Sequence, residues 1–197
     1  MASLPRPRPL VLVILDGFGE RAERADNAVR LARSPALSDV FARYPHGLIG
    51  ASGPDVGLPP GQMGNSEVGH LNLGAGRIAL MDITRIDAEI EAGTLGENQV
   101  LRAVASRAVA SGGHLHLLGL VSDGGVHSSL RHLSALIDMF RKGQAAGARI
   151  VLHAFLDGRD VQPGTAPRFL AEVERQLAAA GGVIGTVSGR YWAMDRD

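Results

Sequence analysis

Three times between Leu101 and Arg190 the sequence passes from a helical apolar face to a short apolar run and then to a polar, glycine-rich stop. Leu101, Val104, Ala105, Ala108 and Val109 share one helical face, and Leu115 to Val121 is a run that ends in Ser122-Asp-Gly-Gly-Val-His127. Leu130, Leu133, Leu136, Ile137 and Phe140 predict a second amphipathic helix, and Ile150 to Leu156 a strand that stops at Asp157-Gly-Arg-Asp160. Phe169, Leu170, Val173 and Leu177 predict a third, before a strand over Val183 to Val187 and the stop Ser188-Gly-Arg190. Strands separated by helices return parallel to one another, so the expected class is α/β, with a parallel sheet flanked by helices. The three copies share no residue-level identity, so what repeats is architecture. No helix is expected after the last strand.

The first eighty residues read differently. Leu10 to Leu15 is a continuous apolar run, expected to be a buried parallel strand with Asp16 at its carboxyl end. Ser34-Pro35 opens a helix carrying Leu37, Val40 and Phe41. From Gly47 to Gly76 the chain turns to Gly, Pro, Asn and Ser with no apolar period, which predicts a long functional loop. Composition closes off several classes. A hydrophobic share of 45% excludes general disorder, and 26 Gly with only 10 Pro and no triplet period exclude a collagen-like chain. Twenty basic residues balance twenty acidic ones, so no net field draws the chain to nucleic acid or to an anionic membrane. With no Cys there are no disulfides, thiolate metal sites or cysteine nucleophiles, which suits a reducing, cytoplasmic setting. The apolar runs are far shorter than the roughly 20 residues of a spanning helix.

Ligands of open parallel sheets bind beyond the carboxyl ends of the strands. Four such loops here hold Asp16, then His127, then Arg159 and Asp160, then Arg190 and Arg196. Lys142 is the only lysine, so a lone arginine carries little information, whereas three at one sheet edge point to a pocket for a small polyanion. Asp16, followed by Gly17 and Gly19, is either a ligand for a hard cation or an Asx-turn residue. Gly61-Gln-Met-Gly-Asn-Ser-Glu-Val-Gly-His70 presents Ser66 either as a helix N-cap or as a nucleophile activated beside a cation. His127 is a solvated turn residue or a partner for an anionic ligand, and Asp160 a proton carrier or half of a local ion pair with Arg159. Gly74-Ala-Gly-Arg77 lacks the third glycine and the preceding strand of a dinucleotide fingerprint, and no Gly-Lys-Ser/Thr phosphate loop occurs. His114 and His116 alternate along a strand with no third ligand near them in sequence and are read as structural.

The blocks Leu15-Asp-Gly-Phe-Gly19, Gln62-Met-Gly-Asn-Ser-Glu-Val-Gly-His70, Gly74-Ala-Gly-Arg77, Ser122-Asp-Gly-Gly-Val-His-Ser128, His153-Ala-Phe-Leu-Asp-Gly-Arg-Asp160 and Ser188-Gly-Arg190 through Ala193-Met-Asp-Arg-Asp197 occur in this order. In them the chain resembles the 2,3-bisphosphoglycerate-independent phosphoglycerate mutases of the alkaline-phosphatase-like superfamily. The resemblance implies parts of two domains: residues 1–80 as the start of a phosphatase-like metal and nucleophile domain, and 81–197 as part of an inserted substrate-binding domain. It implies interconversion of 2- and 3-phosphoglycerate, a glycolytic and gluconeogenic step, through a phosphoserine on Ser66. Asp16 and Ser66 match positions that bind one of two manganese ions, and no 2,3-bisphosphoglycerate is required. His127, Arg159, Asp160, Arg190 and Arg196 match substrate-binding positions, with Asp160 a candidate proton carrier.

Neither nucleic acid nor membrane is an implied partner, and the complete enzyme is expected to be a monomer. Ser129 and Trp192 stand where family members often have His and Tyr. Family chains are much longer and return to the first domain for the remaining metal ligands, so this chain is expected to be an amino-terminal part with little activity alone. The other readings are a phosphatase or phosphopentomutase-like relative, against which Asp157-Gly-Arg-Asp160 and Ser188-Gly-Arg190 speak, and a non-catalytic phosphoglycerate-binding fragment.

Overall fold

Residues 9–143 and 148–194 are described by the computed structural model. The chain divides into two compact units, one made of the residues up to Val56 with Pro60–Ala79, the other of Gly57–Pro59 and the residues from Leu80 on.

In the first unit α1 (Ala28–Leu31) is capped by the Asn27 side chain, and α2 (Pro35–Arg43) begins at Pro35, whose fixed φ suits the first helical position. The apolar run Leu10 to Leu15 does not form the expected buried strand. A parallel strand draws its hydrogen bonds from neighbours, and all the strands among the described residues lie in the second unit. The run is therefore open, with Leu10 87% and Val13 71% exposed. The expected loop from Gly47 to Gly76 also contains more than loop. It holds a 3-10 turn at Gly53–Val56 and a ten-residue helix, α3 (Ser66–Ala75). Gly69 and Gly74 interrupt its apolar face, which hides it from a periodicity reading. The Asn65 carboxamide oxygen instead fixes its start by accepting from the Val68 N–H at 3.0 Å, and Gly76 ends it in the left-handed conformation at φ 63°.

The second unit opens with a further helix, α4 (Asp82–Glu91). Then α5 (Gln99–Ala110) leads to β1 (His114–Leu120), α6 (Leu130–Lys142) to β2 (Arg149–Leu156), and α7 (Ala166–Ala179) to β3 (Val183–Gly189). The strands pair in parallel in the order β1-β2-β3, so the expected α/β class with a helix-flanked parallel sheet is what forms. Two successive right-handed crossovers moving in one direction place their helices on the same face of a sheet. Accordingly α5, α6 and α7 share one core with Leu115, Ile150, Leu152 and Ala154, into which α7 sends Phe169, Val173 and Leu177 at four-residue spacing. Arg131 and His132 of α6 bind Asp87 of α4 at 2.9 and 3.1 Å. On the other sheet face His116 Nδ1 lies 2.9 Å from His153 Nε2, and His153 Nδ1 lies 2.8 Å from Thr186 Oγ1. The His116 and His153 rings are within 17° of parallel. A single helical turn, α8 (Arg190–Ala193), follows β3 directly, where no helix was expected. Among the described residues no helix is long and apolar enough to cross a membrane.

Candidate functional site

The parallel register brings the carboxyl ends of β1, β2 and β3 to one edge, and the polar stops that follow them meet there. Asp157 is the hub. Its Oδ1 accepts from the N–H groups of Gly158 at 2.7 Å, Arg159 at 3.1 Å and Asp160 at 3.2 Å, and from Arg190 Nη1 at 3.0 Å. Its Oδ2 accepts from the Ser122 hydroxyl at 2.6 Å. Arg190 Nη1 also reaches Asp160 Oδ2 at 2.9 Å, and the same oxygen lies 2.8 Å from His127 Nδ1. All three charged side chains are buried, Arg190 to 6%, Asp157 to 1% and Asp160 to 8% exposure, while His127 is half exposed.

In the short His127–Asp160 contact the carboxylate accepts from the imidazole Nδ1–H, and Arg190 Nη2 lies 3.3 Å from the same nitrogen. Gly124 makes the close approach of the first loop possible. A Cβ at that position would stand 2.8 Å from the Asp160 Cβ, so only glycine fits without a shift. Asp157, Gly158, Arg159 and Arg190, with Leu156 and Gly189, line a cleft of about 560 Å³. That is within the usual size of a small-ligand site, about 300–1,000 Å³.

Burial pushes the Asp157 carboxyl up, but the hydroxyl of Ser122 and the three backbone N–H groups outweigh it and hold the group well below the usual carboxylate range. A depressed native pKa contributes stability that is complete above the unfolded value of about 3.9 and is lost as pH falls from there toward the native value. Urea unfolding of the second unit is therefore expected to show stability falling steeply below about pH 4, with a shallower slope in Asp157→Asn. Equal slopes in the two proteins would contradict this account.

In the first unit Asp16 and Ser66, fifty positions apart, come together: the Ser66 hydroxyl donates to Asp16 Oδ2 at 2.8 Å. Ser66 is the first residue of α3, and Asn65 holds the N-cap position, so the capping alternative for Ser66 falls away. His70 Nδ1 lies 2.8 Å from the Ser66 carbonyl oxygen and 3.2 Å from Oγ. The carbonyl cannot donate, so the ring hydrogen points to it, and Asp16 is left as the acceptor for the serine proton. The head of a ten-residue helix also favours added negative charge on Ser66. As a manganese site this donor set falls short. Among the described residues no group of three or more His, Asp or Glu is placed to hold an ion, and Asp16 with Ser66 offers two ligand side chains where a divalent ion takes four to six ligands. The described residues do not fit the implied ion pair.

The structure thus gathers His127, Asp160 and Arg190 into one network and sets Arg159 on its cleft; Arg196 lies outside the described residues. Asp157 and Ser122 were not singled out by the sequence reading. For Asp157 the signal was a repeat, since Leu15-Asp16-Gly17 and Leu156-Asp157-Gly158 end two apolar runs identically; Ser122 carried no such mark.

A family model described as the BPG-independent PGAM N-terminus (iPGM_N) matches residues 86–197. A 2,3-bisphosphoglycerate-independent phosphoglycerate mutase of Syntrophotalea carbinolica is 53% identical over 191 residues, which are 96% of this chain and 37% of that protein. The enzyme of the same description from Cronobacter sakazakii is 51% identical over 192 residues, again 96% of this chain and 37% of the other. A crystal structure of Leishmania mexicana phosphoglycerate mutase at low cobalt concentration superposes with a TM-score of 0.66 at 37% identity, covering 84% of this chain and 31% of that one. The chain spans just over a third of the length of the curated relatives it matches. On the match over residues 86–197 and identities near 50%, the chain belongs to the BPG-independent phosphoglycerate mutase family, in its amino-terminal region.

Proposed function

We propose that this chain supplies the nucleophile and much of the substrate pocket for interconversion of 2- and 3-phosphoglycerate. The observation that carries the reading is the Ser66 hydroxyl donating to Asp16 at the head of α3. Ser66 Oγ attacks the phosphorus of the substrate, its proton passes to Asp16, and the bond from phosphorus to the glycerate oxygen breaks. The released glycerate oxygen takes up a proton. In the return step the other glycerate hydroxyl gives up its proton as it takes the phosphoryl group from the phosphoserine, Asp16 hands its proton back to Ser66 Oγ, and no 2,3-bisphosphoglycerate enters the balance. In the second unit Arg159, Arg190 and His127, with Arg196, bind the anionic ligand, and Asp160 exchanges a proton with a glycerate hydroxyl through its contact with His127. Parts of two domains, dividing near residue 80, accord with this allocation of roles. The manganese ions implied by the family resemblance need donors beyond Asp16 and Ser66. The reading assigns the chain no nucleic-acid or membrane partner, and a cytoplasmic, monomeric complete enzyme.

The experiment is a product assay of the 197-residue polypeptide with 3-phosphoglycerate and manganese, resolving 2-phosphoglycerate from free phosphate, alongside calorimetric titration with 3-phosphoglycerate. Binding with at most trace 2-phosphoglycerate is expected, because the two donor side chains hold an ion poorly. Release of free phosphate as the main product would replace the mutase reading with a phosphatase. Absence of binding would remove the substrate pocket, and turnover matching complete mutases would overturn the argument from the donor set.

A further inference from the structure

We propose that Asp157 is a positioning residue of the substrate site, which fixes the Arg190 guanidinium where an anionic ligand meets it and takes no part in proton transfer. The proposal rests on the phosphoglycerate reading and deepens it. Two carboxylate oxygens offer about four acceptor positions. Five donors already converge on Asp157: three consecutive backbone N–H groups, the Ser122 hydroxyl and Arg190 Nη1. Four of the five fall on Oδ1 and the Ser122 hydroxyl takes Oδ2, and with 1% of its side chain exposed the carboxylate has no access to a substrate hydroxyl. It acts as a fixed anion.

Its effect passes through Arg190. Nη1 carries two hydrogens, and both are committed to carboxylates, one to Asp157 Oδ1 at 3.0 Å and one to Asp160 Oδ2 at 2.9 Å. Two anchors on one nitrogen fix the plane of the guanidinium, which a single anchor would leave to turn about it. Asp157 is itself fixed from both sides, by Ser122 after β1 and by the backbone of its own loop after β2. Arg190, the first residue after β3, is thereby referenced to all three strands before any ligand arrives, which lowers the ordering cost of binding.

The test compares the parent chain with Asp157→Asn and Ser122→Ala by calorimetric titration with 3-phosphoglycerate and by ¹H–¹⁵N spectra of the arginine side chains. An anchored guanidinium gives separately resolved Nη signals because its rotation is slow. In Asp157→Asn the Arg190 signals are expected to collapse, and the affinity to fall by about ten- to a hundredfold, the usual loss when a group that orients a binding residue is removed. Ser122→Ala, which leaves the charge in place, should give an intermediate loss. A purely structural role would lower the melting temperature and leave the Arg190 signals of the folded protein resolved, which would overturn the proposal, as would unchanged affinity in both variants. If Asp157→Asn fails to fold, Ser122→Ala decides by the same two readouts. If the parent chain binds no 3-phosphoglycerate, the phosphoglycerate reading falls, and the Arg190 signals alone decide the anchoring: collapse supports it and persistence overturns it.

Discussion

Ser66→Ala, introduced into a family chain long enough to turn over, is expected to abolish labelling of the enzyme by substrate phosphate and to lower kcat by at least about a thousandfold. No other hydroxyl replaces it, because the position combines features that a neighbour does not share. Ser66 is the first residue of α3, where the helix dipole favours an anion, and its proton already points at the Asp16 carboxylate 2.8 Å away. Asp16→Asn keeps the shape and loses the acceptor, so it should slow phosphoenzyme formation without preventing label from reaching the serine. His70→Gln should be far milder, since the ring is held by the Ser66 carbonyl at 2.8 Å and does not take the serine proton. Label recovered on the Ser66→Ala protein would refute the nucleophile assignment, and equal damage from His70→Gln would refute the identity of the proton acceptor.

Arg190→Met is expected to cost about 3–5 kcal/mol of stability in the second unit, the usual penalty for removing one partner of a buried ion pair. Arg190 is 6% exposed and serves Asp157 and Asp160 together, so its loss leaves two carboxylates buried against each other with one cation gone. Against a total of about 5–15 kcal/mol for a domain, that is enough to depopulate the fold at modest denaturant. The double variant Asp157→Asn with Arg190→Met should recover part of the loss, because one charge of each sign then leaves together. Urea titration of the two single variants and the double variant measures this. Additive losses would show that the pair carries no coupling.

The second unit was legible because its helices and strands are regular. Phe169, Val173 and Leu177 at helical spacing and Ile150 to Leu156 as a continuous run encode a face and a period, and the packing follows from them. The first unit was less so, for two physical reasons. Hydrophobicity in Leu10 to Leu15 reports what the residues prefer to touch, and the neighbour strands that would satisfy a parallel strand are not among the described residues of its unit. In α3 the periodic signal is cut by Gly69 and Gly74, so the helix is defined by its ends, Asn65 and Gly76, and ends are read less surely than faces. Within the site, charged residues in loops announced themselves one by one. The order among them did not, because Asp157 draws its importance from three backbone N–H groups and a serine, none of which a sequence marks as a partner.

The middle strand of a three-stranded sheet is the one with a neighbour on each side, and β2 occupies that place. Changes of length are consequently unequal along this edge. An extra residue after β1 or β3 displaces one flank of the network and leaves the other in register. An extra residue between Asp157 and Asp160 separates the Asp157 carboxylate from the amides of its own loop and carries Asp160 away from Arg190 and His127 at once. The stretch Asp157-Gly-Arg-Asp160 that opens the loop after β2 is therefore the ruler of the site, and variation in loop length belongs on either side of it.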